Sequence, residues 1–432
     1  MKNRKALALI AILALVAAAC GGSDGGSDEA VVEVETTEAP ATTEAPTTTA
    51  APAPASDPLI LASLMPLSGD LASLGPGIAL GAALAVEQIN AAGGINGQPV
   101  QLIEGDSGCD GAVALTSLND VIAQGAQGVM GAACSGTSLA ILDTAIAAEV
   151  VMVSPSNTSP QFTKIDKKGF YARTAPSDLL QGDVLASLLV EDGVQTVSII
   201  SRADSYGRGL AEATAAAFEA AGGTVKTIVY HAVDATEFSS EVTAVGKGGA
   251  EAIVGILFPE TGCGVLQPAF EQGLLDTPWY MTDGVKDAGL ASLCGLGTAL
   301  DGFKGTAPGS AAGEAKDAFE AAYAEVSADG SPTFIFAPQA YDAVMLMAIS
   351  AAANGVTGPE IASGLVAASS GGEKCIGVAC IALAADGVDV DYVGASGEIE
   401  LDAVGDPTAA TYDIWTTEGD TNPVLKSVDF GS

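Results

Sequence analysis

The sequence predicts an α/β protein built as two doubly wound lobes, each a parallel sheet covered by helices. Three observations predict it. Short β-branched or apolar runs alternate with longer Ala-rich stretches of helical period, a pattern that sets parallel strands between helices. The alternation comes in two sets, the second beginning near residue 196. About 375 residues follow Asp57, more than one ordinary core accommodates.

The first set opens with a strand over residues 59–65. A helix over 75–92 follows, with Ile78, Ala82, Ala85 and Ile89 on one face and AAGGINGQP closing it. A strand at 100–104, a helix at 111–124, a strand at 128–131, a helix at 136–148 and a strand at 150–153 complete it. The second set runs from a strand at 196–201 through a helix at 206–221 and a strand at 225–229. A helix near 237–246, a strand at 252–257, a helix near 263–273 and a strand at 279–281 follow. Helices at about 313–326 and 335–353 come next, and paired strands near 397–402 and 411–416 are expected to end the fold.

Ahead of this body, MKNRKALALIAILALVAAAC reads as a removable leader. Lys2, Arg4 and Lys5 form a basic n-region, and residues 6–16 are apolar but too short for the roughly 20 residues a bilayer needs. The expectation is a signal peptide over 1–19 and a bacterial-lipoprotein cysteine, Cys20, as the lipidated mature N-terminus. Ala17 stands where such leaders usually carry Leu, so plain secretion after cleavage behind Ala19 is the alternative. Residues 20–57, rich in Thr, Pro, Ala and Glu with TTEAP twice, cannot bury enough apolar surface to order themselves and read as a disordered tether. As a flexible coil it would reach on the order of 35 Å.

Sixteen Lys and Arg face 53 Asp and Glu, a formal charge of −37, and loss of the leader takes it to about −40. Such a surface repels phosphate, which excludes nucleic acid as a partner. Six cysteines follow Cys20: Cys109, Cys134, Cys263, Cys294, Cys375 and Cys380. An even number in an exported chain favours disulfides, although six allow 15 pairings. Metal binding is the weaker reading, because there is no Cys-x-x-Cys pair and His231 is the single histidine. Any Ser-His or Cys-His nucleophile would depend on His231, which ends a strand with no motif around it and reads as a packing or surface residue. There is no G-x-S-x-G elbow, no P-loop and no G-x-G-x-x-G after the first strand. No enzyme and no cofactor is expected.

Read in order, MPLSGDLASLGPGIALGAALAVEQINAAGGINGQPVQL, DSGCDGAVAL, GAACSGTSLA, VSPSNTSP, DSYGRGLAEA and TDGV resemble the substrate-binding proteins of branched-chain amino acid uptake. These have the type I periplasmic-binding fold, two lobes joined by a three-crossing hinge. The resemblance implies crossings near 173–177, 304–309 and 405–409, an N-terminal lobe of 58–175 and 308–407, and a C-terminal lobe of 176–307 and 408–432. It implies an amino acid ligand, an ABC permease as partner, a location outside the cytoplasmic membrane and a monomer.

The family's site residues carry over one by one. In GAACSG, Ser135 holds the ligand carboxylate at the start of a helix, where free N–H groups and the helix dipole favour an anion, and Ala133 lies beside it. An ordinary N-cap serine is the alternative. In SPSNTSP, Ser156 offers a backbone carbonyl to the ammonium and Thr158 a hydroxyl; a local turn is the other reading. Tyr206 closes over the ligand from the second lobe, or packs at a helix start. Asp283 in TDGV takes the place of the acid that pairs with the ammonium, often Glu in the family, or is an exposed loop acid. Leu74 and Phe258 line the side-chain pocket, the apolar Leu74 replacing a frequent aromatic. The family pairs Cys109 with Cys134. Parity and nearness then suggest Cys263 with Cys294 and Cys375 with Cys380. A receptor for an amide, urea or short-chain acid, an enzyme on the same frame and a ligand-sensing ectodomain are the rival functions.

Overall fold

The computed structural model describes residues 57–430. The expected leader, Cys20 and all but the last residue of the tether lie outside them. In chain order, the first part runs β1 (Ile60–Met65), α1 (Gly75–Ala91), β2 (Gln101–Asp106), α2 (Gly111–Ala123), β3 (Gly128–Gly131) and α3 (Ser135–Ala147). It closes with β4 (Val151–Ser154), the short α4 (Gln161–Lys164) and β5 (Tyr171–Arg173). The second part is α5 (Asp178–Glu191), β6 (Thr196–Arg202), α6 (Ser205–Ala220), β7 (Thr224–His231), α7 (Ser239–Gly246) and β8 (Ala252–Ile256). After it come α8 (Pro259–Glu271), β9 (Trp279–Met281), the single turn α9 (Leu290–Leu293) and β10 (Lys304–Pro308). The remainder is α10 (Glu314–Val326), α11 (Ala337–Asn354), α12 (Gly358–Ala368), β11 (Glu373–Ile376), α13 (Ala379–Ala385), β12 (Val390–Val393), β13 (Ala410–Thr416) and β14 (Val424–Phe430).

Two sheets organise these elements. The first has strand order β2-β1-β3-β4-β5 and is parallel throughout. Its central strands β3 and β4 are buried at every residue, which is why their sequences are unbroken apolar runs and do not alternate. The second sheet has order β14-β13-β10-β9-β8-β6-β7. Its strands from β10 to β7 are parallel, while β13 lies antiparallel to both β10 and β14. Helix α11 returns to the first sheet, backing β3 and β4 and packing on α1, α12 and α13. Its Ala-rich face lets these helices approach closely, and fifteen of its eighteen residues are buried.

Most expected elements form within a residue or two of their predicted ends. The last pairing does not. Residues 397–402 make only isolated bridges, Val393 with Glu398 and Leu401 with Pro407, while the 411–416 strand pairs with β10 and β14. Alternation in TYDIWT marks a strand but carries no information about its partner. The helix expected near 263–273 begins earlier, at Pro259, because proline suits the first helical turn where its missing N–H costs nothing.

Candidate ligand-binding site

Loops at the carboxyl ends of strands from both sheets converge on one small cavity, the place where open α/β sheets hold ligands. About 350 Å³ of empty space lies there, part of it open to solvent. Leu71 and Leu74 enter from the loop after β1, and Ala133 and Ser135 from the β3–α3 junction. Ser156 comes from the loop after β4, Tyr206 from the start of α6, Phe258 from the end of β8, and Asp283 with Gly284 from the turn after β9. Ile78 and Phe336 complete the apolar wall. Seven of the eight residues expected in the site therefore line one cavity. Thr158 does not: it is fully buried, and its carbonyl accepts a hydrogen bond from the Asp178 N–H at 2.8 Å.

On the first-sheet side the loops are stitched to one another. Asn157 Nδ2 donates to the carbonyls of Ala132 and Ala133 at 3.1 and 2.7 Å, and Ser156 Oγ donates to Ala133 at 3.2 Å. Arg173, at the end of β5, is fully buried; its Nη1 donates to the carbonyls of Asn157 and Ser159. Its Nε and Nη2 grip both Asp406 oxygens at 3.0 and 2.7 Å. Although burial pushes the Asp406 carboxyl up, its bonds to Arg173 hold it below the usual range. Ser135 is the first residue of α3, and its Oγ accepts from the Ser159 N–H at 3.5 Å. Cys134, immediately before it, is disulfide-bonded to Cys109, so the N-terminus of α3 is tied down. The pairs Cys263–Cys294 and Cys375–Cys380 also form, as expected.

The second-sheet side presents a carboxylate. Asp283 is buried, and its Oδ1 accepts from Gln181 Nε2 at 2.8 Å and from the Tyr206 hydroxyl at 2.9 Å. Burial pushes its carboxyl up to about 6, with the bonds from Gln181 and Tyr206 offsetting part of the rise. The turn is possible because residue 284 is glycine: a Cβ there would sit 2.4 Å from the Leu257 carbonyl oxygen. Tyr206 stacks on Phe258 with ring centroids 5.3 Å apart, and the Arg202 guanidinium lies 3.8 Å over the other face of the wall at Phe258.

Contacts also run between the loop after β1 and the second-sheet elements. The Glu260 carboxylate, in the first turn of α8, accepts from the backbone N–H groups of Leu71 at 2.8 Å and Ser73 at 2.9 Å. Arg202 pairs with Asp70 in the same loop and with Asp204. Sequence reasoning missed Glu260, Arg202, Asp178 and Gln181, together with Leu71, Ile78 and Phe336 as wall residues. For Asp178 and Gln181 a signal was present in PSDLLQG, where a serine N-cap precedes apolar residues at helical spacing. His231 is packed: it is fully buried, edge-on to Phe238, with burial lowering its pKa.

The profile of the family described as "Periplasmic binding protein" matches residues 58–374. An amino acid binding protein of Pseudomonas aeruginosa is 34% identical over 53% of this chain, and the match spans 62% of that relative's length, under two thirds of it. The leucine-, isoleucine-, valine-, threonine-, and alanine-binding protein of the same organism is 29% identical over 68% of this chain and 78% of its own. Among solved structures, the branched-chain amino acid transporter substrate binding protein LivJ of Streptococcus pneumoniae, in complex with isoleucine, superposes with a TM-score of 0.72. It covers 87% of this chain and 100% of its own at 22% identity, a likeness of fold.

Proposed function

The chain belongs to the periplasmic binding protein family, and from that premise we propose that it is an extracytoplasmic receptor delivering a neutral, branched-chain-type amino acid to an ABC importer. One observation carries this reading: a buried carboxylate, Asp283, shares a small cavity with Ser135 at the N-terminus of α3. A helix N-terminus favours an anion and a desolvated carboxylate favours a cation, so a zwitterion satisfies both. Leu71, Leu74, Ile78, Phe258 and Phe336 leave an apolar place for its side chain. In this reading the ammonium also meets the Ser156 carbonyl, while Thr158 does not line the cavity. The names of the Pseudomonas relatives agree with an amino acid of this class.

The receptor would work by closure. The lobes would be 58–175 with 308–407 and 176–307 with 408–432, turning about the crossings near 173–177, 304–309 and 405–409. A ligand touching both would favour the closed state, which the permease would read. The leader and tether support export and anchoring at the outer face of the cell membrane through Cys20. We infer a binding protein and no enzyme, acting as a monomer without a cofactor. A pure carboxylate ligand fits less well, because Asp283 would repel it.

Isothermal titration of the protein with leucine, isoleucine and valine, free and blocked, tests this. Binding is expected for the free amino acids and should be lost on esterification or N-acylation. Equal binding of the blocked forms would remove the zwitterion reading.

A further inference from the structure

Near Asp283 the structure buries a second carboxylate. Asp178, the first residue of α5, is fully buried, and neither of its oxygens has a hydrogen-bond partner among the described residues. The hydroxyl of Thr158 is likewise buried and lies close by; it favours the Asp178 carboxylate less than burial disfavours it, and it does not reach the geometry of a formed hydrogen bond. Oε1 of Gln181, one helical turn further along α5, is also buried and unpartnered, and Nε2 of the same side chain is the donor to Asp283. An ionised carboxylate stripped of water costs several kcal/mol unless strong donors replace that water, and one nearby hydroxyl does not, so such a group takes up a proton instead.

The groups facing Asp178 come from four directions. Asp283 stands on the turn after β9, Tyr206 on α6 with Asp204 just before it, Tyr412 on β13, and Arg173 at the end of β5. None of them neutralises it by contact. Arg173 is committed to Asp406 and to two carbonyls, Asp204 is acidic, the Tyr206 hydroxyl is on Asp283 and Thr282, and the Tyr412 hydroxyl points to the Ser177 carbonyl at 3.4 Å. Burial, and after it the Asp283 charge, push the Asp178 carboxyl well above the usual range. Two carboxyls that interact in one dry region titrate as a pair.

We propose that Asp178 and Asp283 together form the cation-binding half of the site, keeping one proton between them when it is empty and releasing it when a ligand ammonium enters. The charge balances. The empty pair with its proton carries one net negative charge. The deprotonated pair with one ammonium carries the same, so the buried region never holds a second uncompensated charge. The ammonium keeps its own three protons, and the released proton goes to buffer. This rests on the amino acid reading above and adds to it a second carboxyl, one that acts through Asp283 and does not itself line the cavity, and a proton count.

Calorimetry of L-leucine, L-isoleucine and L-valine binding to the full chain, in buffers of different ionisation enthalpy between pH 5.5 and 8, measures that count. The amino acids' own groups do not titrate in this range. Expected is a release approaching one proton per ligand near pH 6.5, with Kd falling up to about tenfold per pH unit of rise. In Asp178→Asn the release near pH 7 should drop below half that of the parent, and Kd should become nearly independent of pH there. Binding with no proton release by the parent anywhere in the range overturns the proposal while leaving the amino acid reading intact. The parent's count decides even if the variant fails to fold. Unchanged affinity and proton count in a folded Asp178→Asn also overturn it. Absence of binding by any of the three amino acids removes both readings together.

Discussion

Replacing Asp283 by Asn keeps the shape of the turn but removes the negative partner a buried ammonium needs. Truncating one side of such a pair commonly costs about 2–5 kcal/mol, so amino acid affinity measured by calorimetry should fall at least tenfold. Tyr206→Phe deletes one of two donors to Asp283 while Gln181 remains, a loss of about 0.5–1.5 kcal/mol that should weaken binding without changing which amino acid is preferred. Asp283 and Tyr206 were expected because TDGV and DSYG resemble the family's motifs, and both side chains line the cavity. Asp178 was not. Its importance comes from losing all water, and that follows from α5 packing on α6 and reaching the second sheet, which no local pattern states. Thr158 shows the reverse: its motif was visible, but the residue is fully buried and does not line the cavity.

The loop after β1 acts as a clasp whose seat is Glu260. Two backbone N–H groups of that loop, at Leu71 and Ser73, have this one carboxylate as their acceptor, and Leu71 and Leu74 lie on the cavity wall. Hydrogen bonds to a charged group contribute about 1.5–3 kcal/mol each. Glu260→Ala should therefore loosen the loop, and stopped-flow measurements should show ligand release at least tenfold faster. A Glu260→Ala protein that releases ligand at the parent rate would mean the clasp has no part in retention. At this scale the sequence was informative wherever an element carries its own period, as in α1 or β3. It was silent on pairing: β13 reads as a strand from alternation, but its neighbours are β10, roughly 100 residues earlier, and β14, which was not foreseen at all.

Acid should stabilise the whole molecule before it harms it. Burial raises the carboxyls of Asp283 and Asp342 to about 6, whereas both titrate near 3.8 in the unfolded chain. Between these values the folded protein binds more protons, so stability falls as pH rises through about 4 to 6 and recovers on acidification. Each group accounts for on the order of 3 kcal/mol at neutral pH. Asp406, held low by Arg173, acts the other way and only below about pH 4. Relief of repulsion in a chain of formal charge −37 adds to the gain. Thermal melts of the ligand-free protein should show a higher Tm at pH 5 than at pH 7.5. A Tm that is lower at pH 5 than at pH 7.5 would contradict the buried, uncompensated state of these acids. The acidity itself was readable from composition, but which acids lose their water was not, because that depends on packing between segments far apart in the chain.

The antiparallel pair β13–β14 finishes a sheet that begins some 200 residues earlier. While the chain is being made, β10 emerges at residues 304–308 and must wait for roughly 100 more before its outer neighbour exists. At synthesis rates of about 5–20 residues per second, that leaves the strand's flank bare for roughly 5–20 s. The second sheet can therefore be completed only once β13 and β14 have been made.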